Sequence, residues 1–265
     1  MSPPLHMLKL EPDMRRLAAW VYARRLAGRD GDLGYALHAA LAAAFGEAVP
    51  KPFRLREPRC GSWGDGAGLP ALYGYCAADE LALKERAALA EPDVHAALGL
   101  DTLAVKPMPT HWTEGRQLDF EVRIRPVVRC DRAGDRASVR ERDAFLAVLP
   151  PATTAGSANG FSREEVYRQW LTRELGRDDA AVPLASTLRM IGFHRTRVQR
   201  RGRPAEDGRR TFGPSLEGPD ALFTGVLEVN DGGAFAMLIR RGIGRHRAFG
   251  FGMLLLRPAR VRTPC

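Results

Sequence analysis

Leu118-Asp119-Phe120-Glu121-Val122-Arg123-Ile124-Arg125 sets apolar and charged residues in strict alternation. Successive strand side chains point to opposite faces, so Leu118, Phe120, Val122 and Ile124 share one buried face and the charged set lies on the other. Working outward, Arg132 to Arg142 carries charge of both signs and reads as loop, and Pro150 to Gly160 reads as a connection. Ser162 opens a helix, with Glu165 three residues on completing a capping box, Val166, Trp170 and Leu171 on one stripe, and Gly176 at the end. Pro183 to Val198 is the next extended segment, and Ala221 to Val229 is an apolar strand. Asn230 and Asp231 cap a helix on which Phe235, Leu238 and Ile239 share a face. Gly242 closes that helix, and Gly252 to Leu256 forms a last buried strand. Strand, helix, strand, strand, helix, strand is the order of the ferredoxin-like split βαβ unit.

The first half is a looser copy. Leu8 to Leu10 ends a first strand, and Pro12 to Ala27 reads as a helix with Leu17, Trp20, Val21 and Leu26 near one face. Arg29 to Gly31 breaks it, and Asp32 caps a second helix to about Phe45. Lys51 to Gly68 looks irregular, with four glycines close together. Leu69 to Cys76 reads as strand, Asp79 to Leu89 as helix and Thr102 to Pro107 as strand. The expectation is an α+β protein of two tandem ferredoxin-like domains, 1–114 and 115–265, with an extra N-terminal helix.

Composition narrows the partner. The chain carries a net charge of +9, and only Lys9, Lys51, Lys84 and Lys106 among its 40 basic residues are lysine. Codon bias would give the same ratio. Guanidinium groups fork onto phosphate oxygens and stack on bases better than ammonium does, so a phosphate polymer is the default partner. No apolar run approaches the ~20 residues of a membrane span, and no secretory signal is read, so a cytoplasmic protein without a membrane role is expected. Cys60, Cys76, Cys130 and Cys265 show no paired spacing, and the six histidines no metal-ligand spacing. No Walker, H-E-x-x-H or G-x-S-x-G sequence occurs, and neither a metal nor a small-molecule cofactor is expected.

Three segments carry the chemistry. Arg189 to Arg210 holds eight arginines, Arg189, Arg195, Arg197, Arg200, Arg201, Arg203, Arg209 and Arg210, against Glu206 and Asp207. Its tip, with Gly202, Pro204 and Gly208, turns between two strands, so the segment is either a solvated loop or a basic ribbon for a nucleic-acid groove. Gly242 to Gly252 sets Gly242, Gly244, Gly250 and Gly252 around Arg245, His246 and Arg247. Glycine lets backbone N–H groups approach a phosphate, and a purely structural turn would use the same residues. Tyr35 and His38 lie three apart on one helix face. An imidazole there can move protons near neutral pH, although a helical histidine taken alone is more often structural.

In this order the segments resemble the CasE family, the repeat-RNA endoribonucleases of the CRISPR Cascade complex. The strongest match is Gly225-Val-Leu-Glu-Val-Asn-Asp231 followed by Ile239-Arg-Arg-Gly-Ile-Gly-Arg-His-Arg-Ala-Phe-Gly-Phe-Gly-Met-Leu254. Val166 to Gly176 resembles the family's helix in that domain, and Leu118 to Val128 its first strand. The resemblance is good over 117–258 and thin over 5–110. It implies tandem RRM-like domains of the RAMP type and a metal-independent cut of a CRISPR repeat stem–loop. The ribose 2′-hydroxyl would attack its own phosphate and leave a 2′,3′-cyclic phosphate and a 5′-hydroxyl. It makes His38 the catalytic histidine and Tyr35 its partner, with Arg24 and Arg25 as candidates to stabilise the transition state. RNA binding falls to Arg123, Arg125, Arg195, Arg197, the ribbon arginines and the glycine-rich loop. Product retention and membership of a Cascade-like complex are further implications. The intervening helix Pro12 to Ala27 departs from the family and points to a divergent, type IV-like branch. The competing readings are a non-catalytic RNA-binding subunit of such a complex and a general nucleic-acid-binding protein.

Overall fold

The computed structural model describes residues 4–26, 33–57, 69–130, 140–149, 162–204 and 210–259. The first sheet contains β1 (His6–Leu10), β2 (Phe53–Arg56), β3 (Ala71–Cys76) and β4 (Ala104–Pro107), in the order β2-β3-β1-β4. Helices α1 (Met14–Ala23) and α2 (Gly34–Phe45) join β1 to β2, and α3 (Glu80–Ala88) and α4 (Pro92–Leu98) join β3 to β4. The second sheet contains β5 (Gln117–Ile124), β8 (Ala181–Pro183), β9 (Arg189–Pro204), β10 (Arg210–Val229) and β11 (Leu254–Pro258). Its order is β11-β5-β10-β8, with β9 also paired to β10. Both sheets have the ferredoxin-like order, and the chain is α+β with two such units in tandem, the extra helix lying between β1 and β2. A two-stranded insert, β6 (Val127–Cys130) with β7 (Arg140–Asp143), leads to α5 (Ala144–Val148). α6 (Arg163–Leu175) and α7 (Gly232–Arg241) complete the second unit. Among the described residues no helix is long and apolar enough to cross a membrane.

The alternation in β5 has the expected outcome. Leu118, Phe120, Val122 and Ile124 are buried with Tyr167, Leu171, Phe235 and Leu238 of the helices. A second core gathers Leu8, Leu17, Trp20, Leu37, Leu41 and Leu98. Each fully buried large aliphatic or aromatic side chain contributes roughly 1.5–3 kcal/mol. Helix starts are fixed by carboxylates: Asp13 accepts from the N–H groups of Arg15 and Arg16, Asp79 from Ala82 and Asp231 from Ala234.

Four expectations need correction. The stretch read as irregular after Lys51 contains β2, and α4 was not foreseen. Arg140 to Asp143, at the end of the supposed loop, forms β7; residues 131–139 lie outside the described residues. Ser162 stands at the N-cap of α6 but makes no capping hydrogen bond. Glu165 turns instead to Gln169 and Arg168, so no capping box forms. The expected cap at Asp32, the breaker Arg29 to Gly31 and the connection Pro150 to Gly160 lie outside the described residues.

The outer faces of the two sheets meet. Tyr75 of β3 packs into the core built around β5, and its hydroxyl donates to the Leu254 carbonyl at 2.8 Å. Further along, Arg54 and Arg56 of β2 both stand 3.6 Å from Oε1 of buried Glu121 on β5. One end of the sheet-to-sheet space is therefore packed, and the other end opens as a cleft.

Candidate nucleic-acid interface

The glycine-rich loop is built by close backbone crossings. Gly252 has φ +78°, and a Cβ there would stand 2.2 Å from the Ile243 carbonyl oxygen. Only a residue without a side chain lets the two strands of the loop cross. His246 is buried at φ +61°, and its Nε2 lies 2.6 Å from Glu141 Oε2. A carboxylate only accepts, so Nε2 carries the hydrogen. Arg245 Nε lies 2.6 Å from the other oxygen of Glu141. The hydrogen bond from His246 holds the Glu141 carboxyl below its ordinary range against the opposing effect of burial, and the Arg245 and Arg125 charges add to the lowering. Arg247 donates to the Arg241 carbonyl, and burial lowers its pKa. Arg245, His246 and Arg247, all expected at RNA, thus also hold the loop's shape.

α2 docks on this loop. A Cβ on Gly34 would come within 2.6 Å of the Phe249 carbonyl oxygen, so helix and loop touch through backbone. One residue on, Tyr35 packs against the cluster of Val198, Phe249 and Phe251. Val198 belongs to β9, so the three segments singled out in the sequence converge on a single group of side chains. His38, one turn along α2, is half-buried. Its Nδ1 is out of water with no hydrogen-bond partner among the described residues. Burial lowers the His38 pKa, and the positive charge of Lys51 lowers it further. Lys51 was not foreseen, because it acts on His38 only through the fold.

The expected arginines divide. Arg24 donates to Glu91 and Asp93 at 2.7 Å each and lies over the Trp20 ring, tying α1 to the start of α4. Arg25 is exposed at φ +51°. Arg123 forms a two-point ion pair with Asp220 and stacks on Phe251 at 4.3 Å. Arg125 is only 2% exposed and donates to Thr196, bracing β5 against β9. Arg195 and Arg197 are 65% and 51% exposed, and both pair with Glu217 across the β9–β10 ribbon. Register shifts interrupt that ribbon at Arg210, Phe212 and Ser215, which sharpen its twist. The side chains of Arg200, Arg201, Arg203 and Arg210, and all of Arg209, lie outside the described residues.

The cleft beside this cluster encloses about 510 Å³ between β2, the start of α2, the outer face of β5, β9 and β10, and Gly250. Arg54, Arg56, Glu121 and Asp220 line it and were missed in the sequence, since each gains its meaning from a partner on a distant strand.

No curated sequence matches the chain. Among solved structures it is similar to the CRISPR endoribonuclease Cse3 bound to a 19-nucleotide RNA, at 20% identity and TM-score 0.59, over 96% of this chain and all of that one. It is also similar to Thermus thermophilus Cse3 bound to an RNA representing a pre-cleavage complex, at 21% identity and TM-score 0.56, over 96% of this chain and all of that one. A chain of a CRISPR RNA-guided surveillance complex matches at 14% identity and TM-score 0.53, over 96% of this chain and all of that one. The resemblance read from Gly225 to Leu254 is borne out in family and fold. Matched from residue 5 to residue 258, the chain belongs to the CRISPR associated protein family.

Proposed function

We propose that this protein is a CRISPR RNA processing endoribonuclease that cuts the stem–loop of the repeat without a metal ion. The observation that carries the reading is the convergence of Tyr35 on α2, Val198 on the basic ribbon and Phe249 on the glycine-rich loop. It joins a phosphate-gripping arm to a half-buried histidine. The ribbon, with Arg195 and Arg197 at its root, grips the duplex. His38, kept neutral at physiological pH by burial and by Lys51, takes the proton of a ribose 2′-hydroxyl. The 2′-oxygen forms a bond to the adjacent phosphorus, and the bond to the 5′-oxygen breaks as that oxygen gains a proton. A 2′,3′-cyclic phosphate and a 5′-hydroxyl result. Lys51, rather than Arg24 with its two carboxylate partners, meets the charge developing on the phosphate. The similar chain of a CRISPR RNA-guided surveillance complex supports a role as a subunit of such a complex.

A single 2′-deoxy substitution at the scissile position tests the mechanism. The modified RNA should bind like the natural repeat and remain whole; its cleavage would end this reading.

A further inference from the structure

We propose that the open end of the sheet-to-sheet cleft is a pocket for one unpaired nucleotide of RNA flanking the gripped stem. The inference rests on the RNA-processing reading above and extends it to a second contact.

The cleft's about 510 Å³ lies within the ~300–1,000 Å³ of sites that enclose a small molecule and is too small for a duplex. It begins where the ribbon leaves the sheet, since Arg195, Arg197 and Glu217 line it together with Glu121 and Asp220 at its floor. A strand leaving a stem held by the ribbon meets it first.

Its charge argues for a base rather than a backbone. The lining arginines outnumber the lining carboxylates by only one, and Arg54, Arg56 and Arg123, deeper than the rim, face the buried carboxylates of Glu121 and Asp220. A channel for phosphates would leave such cations unopposed. Between the ion pairs lie apolar walls, Ile191, Leu222, Leu55 and Leu33. Ile191 is 43% exposed and lines the cleft on the sheet face. Apolar walls with hydrogen-bonding groups around them suit an unstacked base, the feature through which proteins read single-stranded RNA. Arg195 and Arg197 at the rim are placed for its phosphate.

The test compares binding of the minimal repeat stem–loop with the same stem–loop extended by unpaired nucleotides on either side, using the full-length protein. The extension should tighten binding about tenfold, as one base in a stacking site does. An extension of abasic nucleotides keeps the phosphates and should lose that gain. Ile191→Asp should bring the ratio of the two dissociation constants to about one. Equal affinity for extended and minimal RNA, a gain retained by abasic nucleotides, or an unchanged ratio in the variant would each overturn the pocket alone. Failure to bind either RNA would overturn the parent reading and this one with it.

Discussion

Nε2 of His246 lies 2.6 Å from Oε2 of Glu141, which ties the glycine-rich loop to β7, 105 residues earlier in the chain. The buried imidazole has little access to water, so the carboxylate is its stabilising partner. Glu141→Gln keeps the shape and removes the charge, and it should cost about 1–3 kcal/mol in urea unfolding at pH 7. The Glu141 pKa is depressed in the folded state, so its contribution is complete above the unfolded value of 4.5 and fades as pH falls through the folded one. The difference between wild type and variant should therefore shrink below pH 4.5. A difference that stays constant from pH 7 to pH 3.5 would mean that the charge of Glu141 does not hold the loop.

Gly34 and Phe249 set where α2 rests, and through α2 where His38 points. Gly34→Ala places a Cβ 2.6 Å from the Phe249 carbonyl oxygen, so helix and loop must part by a fraction of an ångström or more. Misplacement on that scale costs a reaction up to about 10²-fold. Grip on the stem comes from the ribbon and should change little. Single-turnover cleavage should fall while repeat-RNA affinity holds; equal losses of both would show that α2 carries binding and not geometry.

How far the sequence discloses this arrangement depends on the reach of each cue. The pattern of β5 was readable because one face is buried along eight residues, and α7 because Asp231 caps it locally. β2 escaped notice because four residues are too few for a period, and two of them are arginines whose partner Glu121 lies on another strand. Ser162 followed by Glu165 has the letters of a capping box, yet the side chain of Glu165 finds Arg168 and Gln169 on its own helix. The same limit applies to the site. Tyr35 and His38 were visible as a helical pair, whereas Lys51 is not related to them by any spacing rule. Arg125 looked like its neighbour Arg123, and only the crossing of Thr196 over it separates a buried brace from a cleft-lining residue.

His38 should set the acidic limb of the cleavage profile. Burial and Lys51 both disfavour its charged form, so the base stays competent below the usual histidine value of 6.5. Cleavage should fall only as pH drops through that lowered value. Lys51→Met removes one of the two causes and should move the limb upward, toward 6.5, besides slowing the reaction. His38→Ala should lose about 10²–10⁴-fold in rate in EDTA-containing buffer with affinity kept. An acidic limb unmoved by Lys51→Met would separate the lysine from the histidine's titration.

Arg195, Arg197 and Arg125 are all expected contacts to RNA, and salt can tell them apart. The first two are largely exposed at the ribbon's root, and their shared partner Glu217 is partly exposed as well. An exposed ion pair contributes at most about 1 kcal/mol, so phosphate can displace the carboxylate readily. Each phosphate contact releases condensed counterions, and removing one lowers the slope of log affinity against log salt by about one. Arg195→Ala and Arg197→Ala should each show that drop with unchanged folding. Arg125→Ala should do the reverse, because its guanidinium is buried against Thr196 and beneath Gly218. Its removal leaves the Thr196 acceptors without their donor, and unfolding midpoints should fall while the salt slope of the folded fraction stays as in wild type. A lowered slope in Arg125→Ala would mean that RNA binding opens the sheet crossing and reaches the residue beneath.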